Sequence, residues 1–90
     1  MGTALVKLKL MPDSPNADLD AMQEQAREIV NKTAEMPARF EREPIAFGLN
    51  AIIITFAIDE SKSIDEIENA LKEIPRVNST EIIDFRRAFG

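Results

Sequence analysis

The sequence contains neither cysteine nor histidine. Without cysteine the chain cannot form a disulfide, supply a thiolate to zinc or an iron–sulfur cluster, or use a cysteine nucleophile. Without histidine it lacks the commonest general base and the commonest metal ligand, and it has no imidazole that titrates near neutral pH. These two absences exclude soft-metal chemistry and imidazole-dependent catalysis.

Positive charge is also scarce, since 11 lysines and arginines stand against 16 aspartates and glutamates, for a net charge of −5. A protein that follows nucleic-acid phosphates or docks on an anionic membrane needs clustered basic residues. The longest apolar run, 51–54, is too short to cross a bilayer, and the N-terminal segment lacks the apolar core of a signal peptide. We therefore expect a cytoplasmic protein with no direct nucleic-acid partner and no membrane contact.

The remaining composition is typical of one folded domain. Its 90 residues, of which 44% are hydrophobic and 30% charged, suffice for one hydrophobic core but not for two. No linker or low-complexity tract divides the chain. The sequence therefore predicts a single domain over residues 1–90.

Four segments have the patterns of β-strands. Alternating apolar and polar residues over 3–11 predict a half-buried strand, and the nearly continuous apolar run over 51–58 predicts a central one. The highly charged segment 38–43 suits the edge of a sheet, where charge discourages unwanted pairing. The last strand is predicted over 77–87.

Two helices are predicted between these strands. The first begins at an N-cap, Asp18, and its helical spacing of apolar residues ends near Lys32. The second opens with Ser63 and Glu66, which have capping-box spacing, and ends at Pro75. The order β-α-β-β-α-β predicts an α+β, ferredoxin-like fold: a four-stranded antiparallel sheet with both helices on one face.

The acidic clusters of the chain do not have the spacing of a metal site. They fall at predicted helix starts or in a turn, where carboxylates favour the helix dipole, and none matches a calcium-binding loop. The segment 12–18 has no glycine or arginine and carries two aspartates, so it would repel a phosphate. We predict no catalytic residue, no metal site and no cofactor.

One predicted loop is unusually apolar. It contains Ile45, Phe47 and Gly48, and the glycine allows a sharp turn that presents the neighbouring ring. Connections that carry function often depart from the rule that loops are polar. On the residues alone, two interpretations stay open: the ring is exposed for a partner, or it folds back onto the core.

The second unusual feature is the pair Arg86 and Arg87 in an otherwise acidic chain. Two adjacent cations at a strand end suit contact with an anionic site on a partner. A solvated strand end with no partner also fits the pattern. Neither interpretation is decided by the sequence.

Taken together, these segments resemble the archaeal elongation factor 1-beta family over essentially the whole chain. The most specific match is the run Glu43-Pro44-Ile45-Ala46-Phe47-Gly48-Leu49, followed by an apolar strand. The opening strand 6–12 and the run 77–82 that leads to Arg86 and Arg87 support it.

This resemblance implies a guanine nucleotide exchange factor for the GTPase elongation factor 1-alpha, and no enzyme in its own right. In similar eukaryotic domains, a loop phenylalanine contacts the GTPase and a basic residue near the C-terminus reaches its Mg²⁺ site. Carried over, the phenylalanine is Phe47, with Ile45 and Gly48 beside it. The basic residue is Arg87 or its neighbour Arg86, where the eukaryotic pattern has lysine. We expect the chain to act as a monomer.

A second class of function remains open at this point. A small ferredoxin-like module can bind a regulatory ligand or dimerise through the open face of its sheet, and Ile53 is an apolar residue expected there. A dimer in solution, or a metabolite that raises the melting temperature, would favour this alternative.

Overall fold

The computed structural model describes residues 2–88 and has the predicted element order. The strands pair antiparallel in the order β2-β3-β1-β4. The prediction of a ferredoxin-like α+β fold is therefore confirmed. The elements are β1 (Thr3–Pro12), α1 (Leu19–Asn31), β2 (Arg39–Pro44), β3 (Asn50–Asp59), α2 (Ile64–Lys72) and β4 (Val77–Ala88).

The core lies between one face of the sheet and both helices. Alternate residues of β1 are buried there, as the sequence pattern predicts, and β3 contributes the largest buried side chain, Phe56. We call the other side of the sheet the open face. The buried cluster consists of Ala4, Val6, Leu8 and Leu10 from β1, Ile52, Ile54, Phe56 and Ile58 from β3, Met22, Ala26 and Val30 from α1, and Ile67, Leu71 and Ile74 from α2 and the turn after it.

The strand positions agree with the prediction to within one residue at each end. The charged strand β2 lies at one edge of the sheet and the apolar strand β3 lies inside it, as predicted. β2 extends to Pro44, and proline is tolerated at the end of an edge strand because its missing N–H interrupts few ladder bonds.

The two helix starts differ from each other. The Asp18 carboxylate accepts a hydrogen bond from the Ala21 amide at 3.1 Å, which confirms the predicted N-cap. Ser63 occupies the N-cap of α2, but its side chain makes no capping bond, so the predicted capping box is wrong in that respect. Ser63 is exposed, so the first amides of α2 are open to bonding with water.

The turn between β3 and α2 is fixed by local hydrogen bonds. The Asp59 carboxylate accepts from the Ser61 hydroxyl at 2.7 Å and from the Ser61 amide at 2.8 Å, and the Lys62 amide donates to the Asp59 carbonyl at 2.9 Å. The Ser61 hydroxyl and, second to it, the Ser61 amide donate to the Asp59 carboxylate and hold the pKa of that group below its ordinary value of 3.8. Three hydrogen bonds therefore hold the turn at the end of β3.

Replacing Ser61 with alanine is expected to move the pKa of Asp59 back towards 3.8, because the larger of the two hydrogen-bond effects is removed. Since the pKa is depressed in the folded state, the ionised carboxylate stabilises the fold above the unfolded-state pKa. That contribution is lost as the pH falls through the folded-state pKa. A carboxyl titration followed by NMR measures the shift, and an unchanged pKa in Ser61→Ala would contradict this account.

Candidate functional site

Phe47 lies at the tip of the connection between β2 and β3, in the short 3-10 turn Ala46–Gly48. Phe47 is 92% exposed, so the alternative in which the ring packs on the core is excluded. Its backbone has a positive φ of 64°, a conformation that costs a non-glycine residue about 1 kcal/mol or more. The loop thus holds a large apolar ring in water on a strained backbone.

The residues beside Phe47 explain how the turn is held. The Ile45 amide donates to the Leu49 carbonyl at 2.7 Å, which closes the loop, and both of these residues are half-buried. Gly48 follows with φ 77°, and a Cβ added there would meet only the Pro15 side chain, at 3.8 Å. Backbone conformation and not lack of space therefore favours glycine. Ile45 and Gly48 shape the turn, and Phe47 is the residue that it presents.

Arg86 and Arg87 lie at the opposite end of the sheet. β1 pairs antiparallel with both β3 and β4, and Arg87 pairs with Ala4 near the start of β1. The loop that carries Phe47 adjoins Asn50, at the start of β3. Arg87 lies beside the other end of β3, because Ala4 pairs with both Ile58 and Arg87. The 10 residues of β3 correspond to roughly 30 Å at the rise of an extended strand. The structure therefore does not bring the predicted site residues together.

A β-bulge in β4 determines which way each arginine points. Lys7 pairs with Asp84 but Leu8 pairs with Ile82, so Ile83 is an extra residue without a partner. Such an insertion inverts the alternation of the strand beyond it. As a result Arg86 lies opposite Leu5 on the open face, and Arg87 lies on the helix side.

Each arginine makes an ion pair within the chain. Arg86 Nε lies 3.1 Å from the carboxylate of Asp84, two residues earlier on the same strand. Arg87 Nε lies 3.1 Å from Oε1 of Glu60, in the turn after β3. The arginine side chains are 77% and 74% exposed, so a partner can reach both groups. Exposed pairs of this kind contribute only about 0–1 kcal/mol.

Glu60 and Asp84 were not predicted as site residues, because nothing in the sequence signals them. Their role depends on the register of β4 and on where the turn after β3 ends.

Arg76 has a positive φ of 74°, and its guanidinium ties the turn before β4 to Asp13 at 2.8 Å. That ion pair links the residue after β1 to the turn before β4 at the end of the sheet near Phe47.

Neither a metal cluster nor a membrane helix is found among residues 2–88. No three His, Cys, Asp or Glu side chains in this part of the chain come together to hold a metal ion. No helix formed by these residues is long and apolar enough to cross a membrane. The exposed Phe47 lies at one end of the sheet, and the exposed Arg86 and Arg87 lie at the other.

Comparisons with known proteins find a family and relatives that match nearly the whole chain. The family model described as the EF-1 guanine nucleotide exchange domain matches residues 5–88. The chain is 38% identical over 88 residues to elongation factor 1-beta of Methanobrevibacter smithii, covering 97% of this chain and 98% of that protein. It is 32% identical over 88 residues to elongation factor 1-beta of Methanosarcina barkeri, covering 97% and 99%. Over 85 residues it is 38% identical to that of Methanocaldococcus jannaschii, covering 93% and 96%.

Proposed function

Because the chain belongs to the family of EF-1 guanine nucleotide exchange domains, we propose that it accelerates the release of GDP from elongation factor 1-alpha. In this proposal, both ends of the chain's own β-sheet contact the GTPase. Guanine nucleotide exchange in translation elongation is the function of this chain. The observation that best supports a two-ended contact is the strained turn that holds Phe47 92% exposed, far from the arginine pair.

The two ends have different tasks in this proposal. Phe47 is an apolar anchor: an exposed ring gains most when it enters a pocket on the partner and leaves water. Arg87, or Arg86 beside it, brings a positive charge to the Mg²⁺ and phosphate site of the GTPase. Mg²⁺ neutralises the nucleotide phosphates there, so a competing cation that disturbs the ion weakens nucleotide binding.

Exchange follows from thermodynamic linkage. If the factor lowers the affinity of the GTPase for GDP by some ratio, GDP lowers the affinity for the factor by the same ratio. GDP therefore leaves the complex readily, and GTP then rebinds and displaces the factor. No covalent step on this chain is required, which fits the absence of histidine and cysteine.

We propose that the chain acts as a monomer in the cytoplasm.

A regulatory ligand-binding or dimerisation module was the alternative from the sequence. On the open face Leu5 and Ile83 are each 43% exposed, whereas Ile53, the apolar residue expected to serve this alternative, is only 8% exposed. The family match over residues 5–88 favours exchange over this alternative.

The proposal is tested by following a fluorescent GDP analogue bound to elongation factor 1-alpha. Excess unlabelled nucleotide is added with and without this protein, and the release rate is measured against protein concentration. We expect a saturable acceleration. No acceleration by the folded protein with a cognate GTPase would contradict exchange, and a sedimentation measurement would then test for a dimer.

A further inference from the structure

We propose that Glu60 is a positioning residue for Arg87, holding its guanidinium in one orientation at the end of β4 before a partner binds. This inference rests on the proposed function, because it concerns the cation that engages the GTPase. It also selects Arg87, and not Arg86, as the cation that is held in advance.

The contact joins two elements that are distant in sequence. Glu60 follows β3, and Arg87 lies near the end of β4. The closest atoms are Arg87 Nε and Glu60 Oε1, 3.1 Å apart. The Glu60 side chain is 32% exposed and the Arg87 side chain 74%, so the carboxylate is the more enclosed partner. An arginine held in this way remains open to an approaching molecule.

The turn that carries Glu60 is itself held by hydrogen bonds. The Glu60 amide donates to the Gly2 carbonyl at 2.9 Å, and the preceding residue, Asp59, accepts two hydrogen bonds from Ser61. The backbone of Glu60 is thus tied both to the start of β1 and to its own turn. Because its backbone is held, the Glu60 carboxylate can orient the flexible Arg87 side chain. A carboxylate on a mobile loop would move with the loop and could not do so.

Gly2 supplies the space that this arrangement needs. A Cβ placed on Gly2 would lie 2.7 Å from Cδ of Glu60, well inside contact distance. The Glu60 side chain is flexible, so a larger residue at position 2 would displace the carboxylate and leave the backbone in place. Gly2→Ala therefore disturbs the ion pair without changing the charge of either partner.

Arg86 is not held in the same way. Its carboxylate, Asp84, lies two residues earlier on the same strand, so the pair links the strand only to itself. Another carboxylate at this end of the sheet, Glu35, accepts a hydrogen bond from the Thr3 hydroxyl at 2.7 Å and has no part in the Glu60–Arg87 pair. Glu35 is therefore a matched control for Glu60.

The first measurement uses the free protein. The Arg87 Nε–Hε signal is followed by ¹⁵N NMR in the wild type, Glu60→Gln, Gly2→Ala and Glu35→Gln. We expect the signal to shift and broaden in Glu60→Gln and Gly2→Ala, because the guanidinium loses its fixed partner. The signal in Glu35→Gln is expected to match the wild type. An unchanged signal in Glu60→Gln would overturn the inference.

The second measurement is GDP release from elongation factor 1-alpha. Glu60→Gln and Gly2→Ala are each expected to lower the maximal release rate about two- to fivefold, the size of one exposed ion pair. The same substitutions should have no effect in an Arg87→Ala background, since the residue that they position is then absent. Glu60→Asp, which keeps the charge, should restore part of the rate.

The outcomes separate this inference from the proposed function. If Arg87→Ala slows release but Glu60→Gln does not, the positioning role is overturned and exchange through Arg87 stands. If the wild type accelerates release and Arg87→Ala does so equally well, both the role of Arg87 and its positioning are overturned. If the wild type has no effect, the proposed function itself fails.

Discussion

Replacing Phe47 with alanine is expected to raise the concentration of this protein needed for half-maximal GDP release by roughly 30-fold or more. Truncating an aromatic hot spot at an interface costs about 2–4 kcal/mol of binding, and Phe47 is 92% exposed in the free chain. The maximal release rate should change much less, because the ring lies at the end of the sheet away from the arginines. Titration of the exchange assay gives both quantities.

The stability of the Phe47 variants provides the control. An exposed ring contributes little to the fold, so urea unfolding of Phe47→Ala should lie within about 0.5 kcal/mol of the wild type. Phe47→Asn should be at least as stable as Phe47→Ala, because asparagine tolerates the positive φ of 64° better than alanine does. Met36, an apolar residue 58% exposed in the loop before β2, is the matched surface control, and Met36→Ala should exchange normally.

Two results would contradict this account of Phe47. A loss of about 3–5 kcal/mol in Phe47→Ala is the cost of emptying a core site, and it would mean that the ring supports the fold. Normal exchange by a folded Phe47→Ala would mean that the ring does not contact the GTPase.

Replacing Arg87 with alanine is expected to lower the maximal rate of GDP release by roughly 10- to 100-fold, the effect of losing one charged hydrogen bond of about 1.5–3 kcal/mol. The protein concentration needed for half-maximal release should change less, since Phe47 still anchors the complex. Phe47 and Arg87 are far enough apart that the two effects are expected to be independent. A stopped-flow titration of nucleotide release separates them.

Arg86 is the natural comparison for Arg87. It has the same chemistry and similar exposure, but beyond the bulge it points to the open face. Arg86→Ala is expected to have the smaller effect, and Arg87→Lys to keep most of the activity, because lysine retains the charge as a point cation. The reverse order, with Arg86→Ala inactive and Arg87→Ala normal, would assign the cation to Arg86 and reject our choice.

Most of the fold was predictable because its signals are local. The alternation of β1, the apolar run of β3 and the Asp18 cap each specify one element, and the element order limits the topology. The capping box was wrong in part: Ser63 occupies the N-cap of α2, but its side chain makes no capping hydrogen bond. Spacing identifies where a cap can form but does not establish the side-chain hydrogen bond.

The candidate site was only partly predictable. The apolar loop singled out Phe47, yet its exposure depends on a backbone conformation that a phenylalanine rarely adopts. The two arginines were evident, but their directions depend on the bulge at Ile83. A bulge arises from the pairing of two strands and leaves no clear pattern in either one. For the same reason Glu60, which depends on that register, could not be found from the sequence.

The bulge at Ile83 also determines how this chain should be aligned with its relatives. Counting residues back from the C-terminus treats every basic residue at a given distance as equivalent. One residue more or fewer at the bulge would leave both arginines in the sequence, but it would exchange the sides of the sheet on which they lie. Residues of β4 in two relatives are therefore equivalent when they lie opposite the same β1 residue. For Arg87 that residue is Ala4.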